Sequence, residues 1–137
     1  MKKPISVLIA DDNIELAGII RTKFELEGGM IVKGIARDGL TAIQMINDLE
    51  PEIVILDIVM PNLDGIGVLE RIREARPAQR PIIIVITAVG QDTFVRKAME
   101  LGADYFIMKP FDINILISRM KQLYDEKSNN MNALLDE

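Results

Sequence analysis

Five strand-like runs recur along the chain, at residues 5–10, 31–36, 53–57, 82–87 and 104–108; the first four are rich in isoleucine and valine, the fifth in aromatic and aliphatic side chains. The third (Ile53, Val54, Ile55, Leu56) and the fourth (Ile82, Ile83, Ile84, Val85, Ile86) are continuously apolar, as strands covered on both faces must be. The second is interrupted by Lys33 and Gly34, which suits the edge of a sheet. After each run the apolar residues recur at spacings of three or four: Ile14, Ala17, Ile20, Phe24; Ile43, Ile46, Leu49; Val68, Leu69, Ile72; Phe94, Val95, Ala98, Met99; Ile113, Leu116, Ile117, Met120, Leu123. Each series places one apolar stripe of a helix against the sheet. Gly28-Gly29, Pro51, Pro77 with Pro81, and Gly102 stand just ahead of strands two to five, where helices must stop.

The chain therefore reads as five strand–helix units. Such repetition predicts an α/β fold, (βα)5, with a doubly wound parallel sheet and right-handed crossovers. Five units fit the flavodoxin-like strand order 2-1-3-4-5, in which strands one and three are neighbours and ligands bind beyond their carboxyl ends. Residues 1–125 make one domain. Residues 126–137, polar and without an apolar stripe, are expected to be a flexible tail or the start of a linker to an output domain absent from the sequence.

Charge and composition narrow the chemistry. With 16 basic against 21 acidic side chains the net charge is −5, which opposes direct nucleic-acid binding. The chain has no cysteine and no histidine, so thiolate chemistry, zinc sites of the usual kind and imidazole general bases are excluded. Two lysines precede residues 5–10, but that apolar run is too short for a signal peptide and meets two aspartates. No apolar stretch approaches the roughly 18 residues that span a bilayer, and a cytoplasmic, non-membrane protein is expected.

The parallel topology gathers a particular set of side chains at one edge. Asp11 and Asp12 end strand one, Asp57 ends strand three, Thr87 ends strand four and Lys109 follows strand five. Singly, each has a structural explanation: helix cap, turn, strand residue, solvated charge. Together, three crowded carboxylates call for a cation, and Mg²⁺ (or Mn²⁺) is the natural one because it accepts oxygen ligands and shares phosphate oxygens.

On these residues, and on Leu56-Asp57-Ile58-Val59-Met60-Pro61-Asn62-Leu63-Asp64-Gly65, Thr87-Ala88 and Lys109-Pro110, the chain resembles the response-regulator receiver family over roughly residues 4 to 125. The resemblance implies that Asp57 is the phosphoacceptor, that Asp11, Asp12, Asp57 and the Val59 backbone carbonyl hold the metal, and that Thr87 and Lys109 contact the phosphoryl group. It implies a histidine kinase or histidine phosphotransfer protein as donor, a DNA-binding output domain outside this chain, and a homodimer formed on phosphorylation. It also makes Lys109-Pro110 a candidate cis peptide and Thr87 with Phe106 the switch pair. In the family the residues two beyond Asp57 and Thr87 flank the path of the hydrolytic water. Here they are Val59 and Val89, which cannot orient water, so a long-lived phosphoform is expected. Within the family, residues 10–13, 68–71, 87–91 and 102–112 are most similar to the receivers of regulators that initiate sporulation.

Three rival readings fit the sequence less well. A metal-dependent phosphatase usually shows an Asp-x-Asp pattern after a strand, which is missing. A nucleotide or flavin binder would carry a glycine- or hydroxyl-rich loop where Asp11-Asp12 stands. A receiver used only for protein contacts would have no need of the complete five-residue set.

Overall fold

The structure, a computed structural model, describes residues 3–75, 80–88 and 90–135; Pro77 and Val89 lie outside these. Its elements alternate as the apolar periods predict: β1 (Ile5–Ala10), α1 (Ile14–Glu27), β2 (Met30–Ala36), α2 (Gly39–Leu49), β3 (Ile53–Leu56), α3 (Gly65–Ala75), β4 (Ile82–Thr87), α4 (Asp92–Glu100), β5 (Tyr105–Met108) and α5 (Ile113–Leu135). The five strands are parallel and ordered β2-β1-β3-β4-β5, the flavodoxin-like arrangement.

Side-chain alternation along the strands divides the interior in two. Val7, Ile9, Ile53, Ile55, Ile84 and Ile86 face one side, where Ala17, Ile20 and Phe24 of α1 and Leu116, Ile117 and Met120 of α5 cover them. Leu8, Ala10, Val54, Leu56, Ile83 and Val85 face the other, beneath Ala42 and Ile46 of α2, Val68, Leu69 and Ile72 of α3 and Ala98 of α4. β3 and β4 lie inside the sheet and are buried at every position, which is why neither alternates.

β2 is an edge strand, as Lys33 and Gly34 suggest. Its register against β1 slips between Val7, opposite Val32, and Leu8, opposite Gly34, so that Lys33 is an extra residue in the ladder. Such bulges belong to edges, where the unpaired residue can face water.

Local signals set the helix ends. Asn13 caps α1 by accepting from the Leu16 N–H, and Asp38 caps α2 by accepting from that of Thr41. One boundary departs from the expectation of a frayed chain after Asp125: the helical backbone of α5 runs on to Leu135. Gln122 donates to Glu126 along this stretch at 3.1 Å, and the Lys127 ammonium bonds to the Arg80 carbonyl ahead of β4. Residues 126–135 are therefore helix rather than coil, because lysine, glutamate and backbone bonds carry the helix where no apolar stripe is needed. Among the described residues no helix is long and apolar enough to cross a membrane.

Candidate functional site

Parallel strands deliver all their carboxyl ends to one edge, and the chain places charge there. Asp11 follows β1 directly and Asp57 follows β3. Those strands are paired, and the ladder extends one step further as the Asp57 N–H donates to the Ala10 carbonyl at 2.9 Å. Asp11 and Asp57 are thereby fixed side by side, 2% and 5% exposed, with Asp12 in solvent next to them. One carboxylate oxygen from each of the three lies within 4.8 Å of the others.

Lys109, just beyond β5, reaches across this group. Its Nζ donates to Asp11 Oδ2 at 2.8 Å and to Asp57 Oδ2 at 2.9 Å, while its backbone N–H donates to the Thr87 carbonyl at 2.9 Å. The remaining oxygens of the buried pair are met by backbone: Asp11 Oδ1 accepts from the Asn13 N–H at 2.9 Å and Asp57 Oδ1 from the Val59 N–H at 3.2 Å. The α1 cap is Asn13 rather than either aspartate, so neither Asp11 nor Asp12 is committed to that helix end.

The electrostatics follow from burial and crowding. Removal from water raises the pKa of Asp11 above 3.8, and the neighbouring Asp57 charge adds to the rise; bonds from Lys109 and the Asn13 N–H offset only part of it. Burial alone would lower Lys109, but its bonds to Asp11 and Asp57 outweigh that and hold it above 10.5. Three carboxylates facing one ammonium leave a negative site built wholly of hard oxygen donors. That donor set fits a divalent cation such as Mg²⁺ and is wrong for a soft metal.

The other residues named from the sequence lie around this centre. Thr87, fully buried, closes β4. By alternation it shares the sheet face of Ile83 and Val85, the α2–α4 side, where Phe106 is half-buried opposite Val85. Thr87 and Phe106 therefore occupy one face of adjacent strands. Val59 is 54% exposed, two residues beyond Asp57, and the Lys109–Pro110 peptide is cis. Val89, named with Val59 for the water path, lies outside the described residues.

Two residues of the segment that follows Asp57 brace this edge. Gly65 opens α3 so close to the end of β3 that a Cβ there would collide with the carbonyl oxygen of Asp57. Only glycine lets the helix start against that strand end. Asp64 accepts from the Gly67 N–H at 2.8 Å and fastens the same turn. The Asp-Gly pair ahead of an apolar period was the available signal.

The sequence model described as response regulator receiver domain matches residues 7–121. Among solved structures, the receiver domain of a Francisella response regulator is 34% identical with a TM-score of 0.81, covering 91% of this chain and 99% of that one. CheY of Borrelia burgdorferi, in a complex with CheX, BeF3 and Mg²⁺, is 32% identical with a TM-score of 0.81, covering 88% of this chain and 90% of that one. A DNA-binding response regulator of the LuxR family from Staphylococcus aureus is 27% identical with a TM-score of 0.82, covering 88% of this chain and 98% of that one.

Proposed function

The chain belongs to the response regulator receiver family, and from that premise we propose that it is a cytoplasmic phosphoacceptor of a two-component system or phosphorelay, with Asp57 as the residue that takes the phosphoryl group. The observation that carries this reading is the convergence of Asp11, Asp12 and Asp57 within 4.8 Å, bridged by Lys109.

The donor is a phosphohistidine on a histidine kinase or histidine phosphotransfer protein, since this chain has no histidine of its own. An Asp57 carboxylate oxygen attacks phosphorus in line; the P–N bond breaks as the P–O bond forms, and the imidazole leaves with a proton. Asp11, Asp12, Asp57 and the Val59 carbonyl would hold Mg²⁺ or Mn²⁺, which supplies charge neutralisation for the phosphoryl oxygens. Lys109 swings from its two carboxylates to an equatorial oxygen, and the Thr87 hydroxyl donates to another. The chain thus promotes its own modification and turns over no substrate.

Thr87, drawn towards the phosphoryl group, leaves room beside it for Phe106, so the site is coupled to the surface of α4, β5 and α5. Phe106 has no hydroxyl to bond outside, and its turn is governed by packing alone. A homodimer and a DNA-binding output domain are the readouts, the latter in keeping with the LuxR-family relative. Valine at 59 and at 89 makes the phosphoform long-lived. Residues 10–13, 68–71, 87–91 and 102–112 favour, within the family, the receiver of stage-zero sporulation protein A and hence control of sporulation.

The test is incubation with Mg²⁺ and phosphoramidate followed by intact mass and gel filtration. A base-labile phosphoryl adduct on the wild type, absent from Asp57→Asn, is the expected result. An adduct of equal yield on Asp57→Asn, or sustained hydrolysis of a generic phosphoester, would overturn it.

A further inference from the structure

Residues 57–64 join β3 to α3 and carry both the Asp57 carboxylate and Val59. Their position is set partly by an element outside this segment, the first turn of α2. Asp38 uses one oxygen to cap that helix, accepting from the Thr41 N–H at 2.7 Å, and turns the other to Asn62, whose Nδ2 donates to it at 2.9 Å. Asn62 holds a left-handed φ of 68°, so the loop reaches Asp38 through a bend that asparagine tolerates better than most residues.

Gly39 makes the second contact. It is buried at the start of α2, and a Cβ there would collide with the carbonyl oxygen of Leu63. Its φ is not in the left-handed region, so backbone freedom does not explain the glycine, and alanine is the better helix former by about 1 kcal/mol. What requires glycine is the approach of Leu63. Inside the loop the Leu63 N–H donates to the Pro61 carbonyl at 2.8 Å and the Gly65 N–H to that of Ile58 at 2.7 Å. A shift at Leu63 therefore reaches the residue next to Asp57.

We propose that Asp38 and Gly39 are positioning residues: together they form a seat on α2 that holds Asn62 and Leu63, and through them the aim of Asp57 and Val59 at the cation. The functional half of this inference rests on the phosphoacceptor reading; the mechanical half does not.

Three variants separate the seat from general stability. Asp38→Ser keeps a helix cap but cannot span to Asn62; Asn62→Gly keeps the left-handed bend without the amide; Gly39→Ala adds the colliding methyl. Hydrogen exchange of the peptide covering residues 58–64, Mg²⁺ affinity by calorimetry, the rate of adduct formation with phosphoramidate and the thermal midpoint are measured for each. Faster exchange confined to residues 58–64 and Mg²⁺ affinity weaker by about fivefold are expected in all three, with Asp38→Ser and Asn62→Gly melting near the wild type. If Gly39→Ala is instead stabilised, as helix preference alone dictates, with exchange and Mg²⁺ affinity unchanged, the seat is refuted while the adduct on Asp57 still forms. If the wild type takes no phosphoryl group, the phosphoacceptor reading falls and the exchange of residues 58–64 still decides the seat.

Discussion

The same strands end in two different kinds of polar chemistry. At the amino edge, Ser6 of β1 and Glu52 ahead of β3 close a saturated set: Glu52 Oε1 accepts from the Ser6 N–H at 3.0 Å and from its hydroxyl at 3.2 Å, and the Glu52 N–H donates back to Ser6 Oγ at 3.0 Å. Tyr124 of α5 adds its hydroxyl, and the bond to Glu52 helps hold its phenol above 10.0. At the carboxyl edge, one ammonium is divided between Asp11 and Asp57 with Asp12 adjacent. The first arrangement is complete and holds the fold together. The second crowds three carboxylates onto one ammonium, and that concentration of like charge suits it to binding and reaction.

Substitutions at the two edges should therefore affect different quantities. The largest effect is expected from Asp57→Asn, which should abolish the phosphoryl adduct in intact mass while the metal-free protein melts no lower than the wild type, because one of two crowded carboxylates has been neutralised. Next, Lys109→Ala should slow adduct formation about a hundredfold, the scale for loss of one transition-state donor, while Mg²⁺ still raises the melting temperature. At the amino edge, Glu52→Ala should cost about 1–3 kcal/mol in urea unfolding, since it leaves the Ser6 donors unpaired, and should leave the adduct rate at wild-type level. A Glu52 variant that lost phosphoryl acceptance in proportion to stability would erase the distinction between the edges.

The smallest effect is one of pH. Asp11 titrates above 3.8 in the folded state, so as pH rises between that value and the folded one the unfolded chain has released a proton that the native state retains. Stability of the metal-free protein should fall with rising pH across that window, a slope that Asp11→Asn removes. Asp38 contributes with the opposite sign. The N–H of Thr41 and the amide of Asn62 hold it below 3.8, and its share of stability is lost as pH falls through the lowered value. Urea titrations of the wild type, Asp11→Asn and Asp38→Asn at a series of acidic pH values would show both slopes.

The fold was legible because parallel strands buried on two faces demand unbroken aliphatic runs, as at Ile53 to Leu56 and Ile82 to Ile86. The convergence of Asp11, Asp12 and Asp57 was legible for a topological reason: once β1 and β3 are neighbours, their carboxyl ends have nowhere else to go. Other features depend on contacts that leave no period. The extra residue at Lys33 is one position in an edge strand. Asn13, rather than its acidic neighbours, caps α1 because a single side chain is oriented to do so. The continuation of α5 past Asp125 needs no apolar stripe. Gly39 opens α2, but the reason it is glycine lies at Leu63, distant in sequence.

α4 carries a consequence of its own. Of its nine residues only Ala98 is fully withdrawn from water, whereas α1 commits Ala17, Ile20 and Phe24. A helix held by Ala98 and the half-buried Phe94 and Val95 would uncover less oily surface on tilting than α1 would. Weak adhesion of this kind lowers the work that a few newly formed bonds at the far end of a strand would have to do to move the helix.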